Sequence, residues 1–129
     1  TALSKANLAG LNRANFSFPP DHGAKVVSII MNDDALRADW TAELEDMRLN
    51  MLDLRQGLAD ALRRETNSDR FDFVAEHRGM FSRLGLSPEQ VMQLRADHAI
   101  YMVGDSRINI AGLPKAGLDK LAKAIASVI

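Results

Sequence analysis

Tyr101-Met-Val-Gly-Asp-Ser-Arg-Ile-Asn-Ile-Ala-Gly-Leu113 is the stretch from which the rest of this chain is read. Gly104, Asp105 and Ser106 form a turn signal, because such residues tolerate unusual backbone angles or bond their own backbone. The run Arg107 to Ala111 then alternates as a strand does, with Ile108 and Ile110 on one side. Arg107, Asn109 and Ala111 take the other side. A guanidinium is thereby set at the mouth of a strand, beside a buried face. Its planar, five-donor fork can pair with both oxygens of a carboxylate. The pattern leaves two readings open: a receptor for a carboxylate ligand, or a structural arginine paired with a nearby Asp or Glu.

Working outward, Ser87-Pro-Glu-Gln90 announces a helix. Ser87 caps it, Pro88 suits the first helical position, and Gln90 can close a capping box. Leu86 and Val91 are placed to staple the entry. This helix is expected to reach about His98. Strands are expected at Phe71–Val74, Met80–Leu84, Ile100–Val103 and Arg107–Ala111. The last helix carries Leu118, Leu121, Ala122, Ile125 and Val128 on one face.

Upstream, Leu36, Trp40, Leu44, Met47, Met51, Leu54, Leu58 and Leu62 step by three or four residues. They predict one helix from about Asp34 to Arg64, roughly 45 Å long at ~1.5 Å per residue. Asn32, Asp33 and Asp34 suit its N-terminus. Glu43, Glu45, Asp46, Arg48, Arg55 and Arg63 read as its solvated face. Before it, residues 1–12 read as the end of a helix. Pro19 and Pro20 then interrupt any helix, and Ala24–Met31 forms an apolar one.

Hydrophobic residues make up 47% of the 129, enough for a core and against disorder. A formal net charge of −1 gives no electrostatic reason to expect nucleic acid or an anionic membrane. The chain has no cysteine. That excludes disulfide and thiolate chemistry from it and fits a cytoplasmic protein. His22, His77 and His98 show no metal-ligand spacing, so no metal is expected.

Three segments resemble one family. Tyr101–Leu113 resembles the C-terminal signature of the aspartate/aromatic aminotransferases, pyridoxal-phosphate enzymes of fold type I. Arg13-Ala-Asn-Phe-Ser-Phe-Pro-Pro-Asp-His-Gly23 resembles the family's R-x-x-x-S-N-P-P-x-x-G segment. Gly79-Met-Phe-Ser-Arg-Leu-Gly85 resembles its G-M-F-S-F-x-G-L strand.

The resemblance implies that Arg107 binds the substrate's α-carboxylate. It implies that Arg13, supplied across a dimer interface, receives the distal carboxylate, with Ser17 nearby. Phe18 stands where aspartate-specific members have Asn, which favours the aromatic branch. Phe81 would line the substrate pocket, and Arg83 departs from the family's commoner Phe. Without the resemblance, Arg13 could simply pair with Asp21, and Phe81 could be plain core.

Leu3-Ser4-Lys5-Ala6 looks like the end of the family's Schiff-base motif. However, Lys5 lies too close to Arg13 for that role and reads as a surface lysine. The cofactor-holding residues are therefore expected outside this stretch, and no residue here is expected to be catalytic.

The implied architecture is α/β, the C-terminal portion of a fold-type I pyridoxal-phosphate-dependent transferase. Residues 1–32 would end the large cofactor domain, 33–65 would be the interdomain helix, and 66–129 the small domain. The implied activity moves an amino group between an aromatic or dicarboxylic amino acid and a 2-oxo acid such as 2-oxoglutarate. A homodimer, a missing N-terminal large domain and a cytoplasmic location are also implied. The rival reading, from the Leu36–Leu62 stripe, is a non-catalytic helical interaction module.

Overall fold

The long helix predicted by the apolar stripe is present. In the computed structural model, which describes residues 1–17 and 20–129, α3 runs Asp34–Thr66. Its entry is capped by Asp33, whose Oδ1 accepts from the N–H groups of Ala35 (2.9 Å) and Leu36 (3.0 Å). Those are donors that the first turn cannot satisfy internally. Before it come α1 (Ala2–Phe16) and α2 (His22–Asn32). After it come α4 (Phe73–Glu76), β1 (Phe81–Arg83), α5 (Pro88–His98), β2 (Arg107–Asn109) and α6 (Leu118–Ala126).

The chain divides into two units, Thr1–Glu43 and Leu44–Ile129. In the first, no residue of α1 or α2 is buried. Leu36 and Trp40 of α3 are also exposed.

The second unit contains the core. Leu54, Leu58 and Leu62 of α3 meet Phe71 and Val74, Leu84 and Leu86, Val91 and Leu94, Ile108 and Ile110, and the buried face of α6. The predicted α6 stripe is all inside: Leu118, Leu121, Ala122, Ile125 and Val128 are buried. Gly57 lets α6 approach α3 closely, since a Cβ there would stand 3.0 Å from Leu118 Cδ1. Strands β1 and β2 pair antiparallel, with Phe81 opposite Asn109, Ser82 opposite Ile108 and Arg83 opposite Arg107. Ser82 and Ile108 face the core; their neighbours on either side face out.

The capping box forms as read. Ser87 Oγ accepts from Gln90 N (3.2 Å), and Gln90 Oε1 accepts from Ser87 N (2.9 Å). Gln90 Nε2 also donates to Val128 O at 2.7 Å, tying α5 to the end of α6.

Four expectations need correction. Phe71–Val74 is not a strand: Val74 N donates to Phe71 O (3.0 Å), and α4 follows. The spacing of three between the buried Phe71 and Val74 outweighs the alternation of Phe71 with Phe73. Ile100–Val103 joins no ladder among the described residues: Ala99 turns the chain in a left-handed conformation, and Val103 O accepts Ser106 N instead. The run from Arg107 is a strand only to Asn109. Asn109 Oδ1 accepts Ala111 N (3.1 Å) and starts a single 3-10 turn. Finally, the first helix does not end near residue 12 but runs on to Phe16, so Arg13 is helical.

Candidate functional site: a guanidinium at the mouth of an apolar cavity

The local chain around Arg107 is fixed by its two predecessors. Ser106 is buried with φ of 60°, and its Oγ accepts from Gly85 N (3.0 Å) and Leu86 N (3.2 Å). Its carbonyl accepts Leu84 N at 3.1 Å. One serine therefore clamps the start of β2 to the end of β1. Asp105 Oδ1 then accepts Arg107 N at 3.1 Å, an Asx turn that sets the direction of β2.

The Arg107 side chain is exposed, and its guanidinium lies over the Phe81 ring, 5.5 Å from the centroid. Phe81 is 53% exposed, so it is not plain core. The nearest candidate for a structural partner, Asp105, is held by Arg83 instead, its Oδ2 lying 2.7 Å from Arg83 Nη2. Among the described residues, no carboxylate is within 4.0 Å of the Arg107 guanidinium. The opposite neighbours Arg83 and Arg107 thus share one face of the sheet, with Asp105 beside them. The Asp105 carboxyl is held below its ordinary range. Desolvation opposes this, but the Arg107 N–H bond and the charges of Arg83 and Arg107 outweigh it.

In front of this arginine is a cavity of about 520 Å³. Phe81, Arg107, Ile108 and Asn109 form its sheet side. Ile100 to Val103 and Gly112, Leu113 and Leu121 form the rest. Arg107 is the charged group among the described lining residues. A volume of this size suits a small organic ligand, and one fork in an apolar wall suits a ligand with one anionic end.

The sheet edge is held from behind by a residue read as solvated. Arg55 is 1% exposed. Its Nη1 donates to Val74 O (3.0 Å) and Ser82 Oγ (2.8 Å). Its Nη2 donates to Gly79 O (2.6 Å) and Phe81 O (3.3 Å). Nε is buried and has no hydrogen-bond partner among the described residues. Burial, then the nearby charge of Arg78, lowers the Arg55 pKa from its ordinary value. The signal in the sequence was position: Arg55 follows Met51 by four and precedes Leu58 by three, so it lies on the apolar stripe.

The other predicted site residues are in the first unit. Arg13 is in the last turn of α1, and its carbonyl accepts Ser17 N at 3.0 Å. Ser17 has φ of 58°. Asp21, the structural partner considered for Arg13, is engaged by Lys25 at 2.7 Å. Phe18 lies outside the described residues. Lys5 is exposed on α1, Lys115 pairs with Asp53, and no lysine is among the described residues lining the cavity. No group of three or more His, Cys, Asp or Glu that could hold a metal occurs among the described residues. Nor is any helix there long and apolar enough to cross a membrane.

The model of the family "Aminotransferase class I and II" matches residues 4–125. This chain belongs to that family. It is 58% identical over 126 residues to an aromatic-amino-acid aminotransferase of Paracoccus denitrificans, covering 98% of this chain and 32% of that protein. The aspartate aminotransferase of Escherichia coli (strain K12) is 42% identical over 91% of this chain and 30% of its own length. Among solved structures, an aromatic amino acid aminotransferase with 3-indolebutyric acid superposes with a TM-score of 0.93 at 57% identity, over 98% of this chain and 32% of that one. That of Burkholderia pseudomallei, covalently bound to pyridoxal phosphate, gives 0.92 at 39% identity over the same shares. The fold is thus that of fold-type I aminotransferases, here mostly helical with a two-stranded sheet. The chain spans about a third of the length of these relatives. Pyridoxal phosphate is the family's cofactor.

Proposed function

We propose that this chain is the substrate-gripping C-terminal part of a pyridoxal-phosphate-dependent aminotransferase. The complete subunit would act on aromatic and dicarboxylic L-amino acids, with a 2-oxo acid such as 2-oxoglutarate as acceptor. The observation that carries this reading is the Arg107 guanidinium, uncommitted to any described carboxylate and facing an apolar cavity.

Arg107 binds the α-carboxylate through two parallel N–H bonds. Phe81 supports the fork from one side, a cation–π contact of about 0.5–1 kcal/mol at an exposed site. The apolar wall takes the rest of an aromatic substrate; the similar aminotransferase solved with 3-indolebutyric acid supports this reading, since that ligand is a carboxylate on an aromatic body. Arg13 receives the distal carboxylate of a dicarboxylic substrate across a homodimer interface, with Ser17 and Phe18 beside it. These groups bind and orient; none of them moves the proton.

The cofactor supplies electron storage during amino transfer. No amine is among the described residues that line the cavity, and in this proposal the cofactor's anchoring falls to residues of the subunit outside this stretch. In the same proposal, residues 1–32 belong to the large domain, 33–65 to the connecting helix and 66–129 to the small domain. The compartment is the cytoplasm. The helical interaction module is not favoured, because the family match takes in the whole Leu36–Leu62 stripe.

Steady-state kinetics on the complete subunit test this reading. Arg107→Leu is expected to raise KM for every amino acid, by about a hundredfold if a charge-assisted carboxylate contact is lost. Arg13→Leu is expected to penalise dicarboxylates far more than aromatics. Unchanged KM in the first variant, or equal losses in the second, would overturn the assignment.

A further inference from the structure

Arg83 is the position where the strand motif departs from the family pattern, and no role above has used it. It stands directly opposite Arg107 in the β1–β2 register. Like charges facing each other across strands repel. Here an acid sits with them: Asp105 Oδ2 is 2.7 Å from Arg83 Nη2, while Asp105 Oδ1 accepts the backbone N–H of Arg107. Asp105 is two residues before Arg107, and its carboxylate feels the charge of both guanidinium groups.

An Asp in this place is a built-in competitor for any carboxylate ligand of Arg107. It is tethered, so its effective concentration is high. Arg83 removes that competition by taking the carboxylate itself. We propose that Arg83 is a positioning residue that sequesters Asp105 and so keeps the Arg107 guanidinium open for substrate. The proposal rests on Arg107 being the carboxylate receptor. It adds that affinity at Arg107 is set by which arginine holds Asp105.

Arg83 is well exposed, with 72% of its side chain accessible, and its replacement leaves the core untouched. The test is calorimetric binding of 3-indolebutyric acid to the complete, pyridoxal-phosphate-loaded subunit, in five forms: parent, Arg83→Leu, Arg83→Lys, Arg83→Leu with Asp105→Asn, and Arg107→Leu. If Asp105 occupies Arg107 nine-tenths of the time once Arg83 is gone, the apparent Kd of Arg83→Leu rises about tenfold. Arg83→Lys, which keeps the cation, stays within about threefold of the parent. Adding Asp105→Asn removes the competing charge while leaving an oxygen to accept Arg107 N–H, and restores binding to within about threefold. In kinetics the Arg83→Leu effect falls on KM for each carboxylate substrate, with kcat preserved.

Parent-like binding by Arg83→Leu, or a loss that Asp105→Asn does not rescue, overturns the proposal while Arg107→Leu still abolishes tight binding. Parent-like binding by Arg107→Leu overturns the underlying reading instead.

Discussion

Arg107 and Arg55 have the same side chain and opposite surroundings, and the contrast explains their different duties. Arg107 is exposed, lies on an aromatic ring and has no described carboxylate within 4.0 Å of its guanidinium, because Arg83 holds Asp105. Arg55 is buried and spends its donors on three carbonyls and a hydroxyl of the segment Val74–Ser82. Arg55 is thus a strut for the strand that carries Phe81. Arg55→Met is expected to lower the local opening free energy of β1 by about 2–3 kcal/mol, since charge-assisted bonds are lost and carbonyls left short of donors. Native-state hydrogen exchange would show it at the Ile110 amide, which donates to Met80 O at 2.7 Å. Unchanged protection there would refute the strut. Arg107 could be read from alternation with Ile108 and Ile110. Arg55 was misread because a run of exposed charges shares its helix, and only its place on the apolar stripe pointed inward.

Among the elements, those whose signals are local were legible. The Asp34–Thr66 helix follows from its stripe and Asp33 cap, and α5 from Ser87, Pro88 and Gln90. Gln90 closes the capping box and also bonds Val128 O, so Gln90→Ala is expected to cost about 1–2 kcal/mol, read as faster exchange at both the α5 and α6 ends. Loss confined to α5 would contradict the link. Gly57 is a poor helix former kept for packing. Gly57→Val is expected to destabilise the α3–α6 contact by about 1–3 kcal/mol, because the added atoms meet Leu118. A neutral result in thermal unfolding would mean that Leu118 yields freely. The short strands were the poorly legible part. An apolar run such as Ile100–Val103 becomes a strand only if a ladder partner arrives, and that depends on contacts far away in sequence.

At the scale of the whole molecule, the two units differ sharply. Unit Leu44–Ile129 has a core of its own, whereas Leu3, Leu8, Leu11 and Phe16 of α1 and Val26, Val27 and Ile29 of α2 are exposed. The apolar stripe of α3 steps evenly by three or four residues from Leu36 to Leu62. It is exposed from Leu36 to Met47 and buried at Leu54, Leu58 and Leu62, a difference that periodicity cannot encode. No lysine is among the described residues that line the cavity; the proposed role as a substrate-gripping part predicts no turnover by the purified 129-residue chain in a coupled transamination assay, and turnover would contradict it. The central claim is the carboxylate grip of Arg107, and a crystal structure of the complete subunit with 3-indolebutyric acid tests it most directly. The account predicts both carboxylate oxygens within about 3 Å of the Arg107 guanidinium nitrogens, with the indole against the apolar wall. A carboxylate bound elsewhere, with Arg107 still facing solvent, would contradict it.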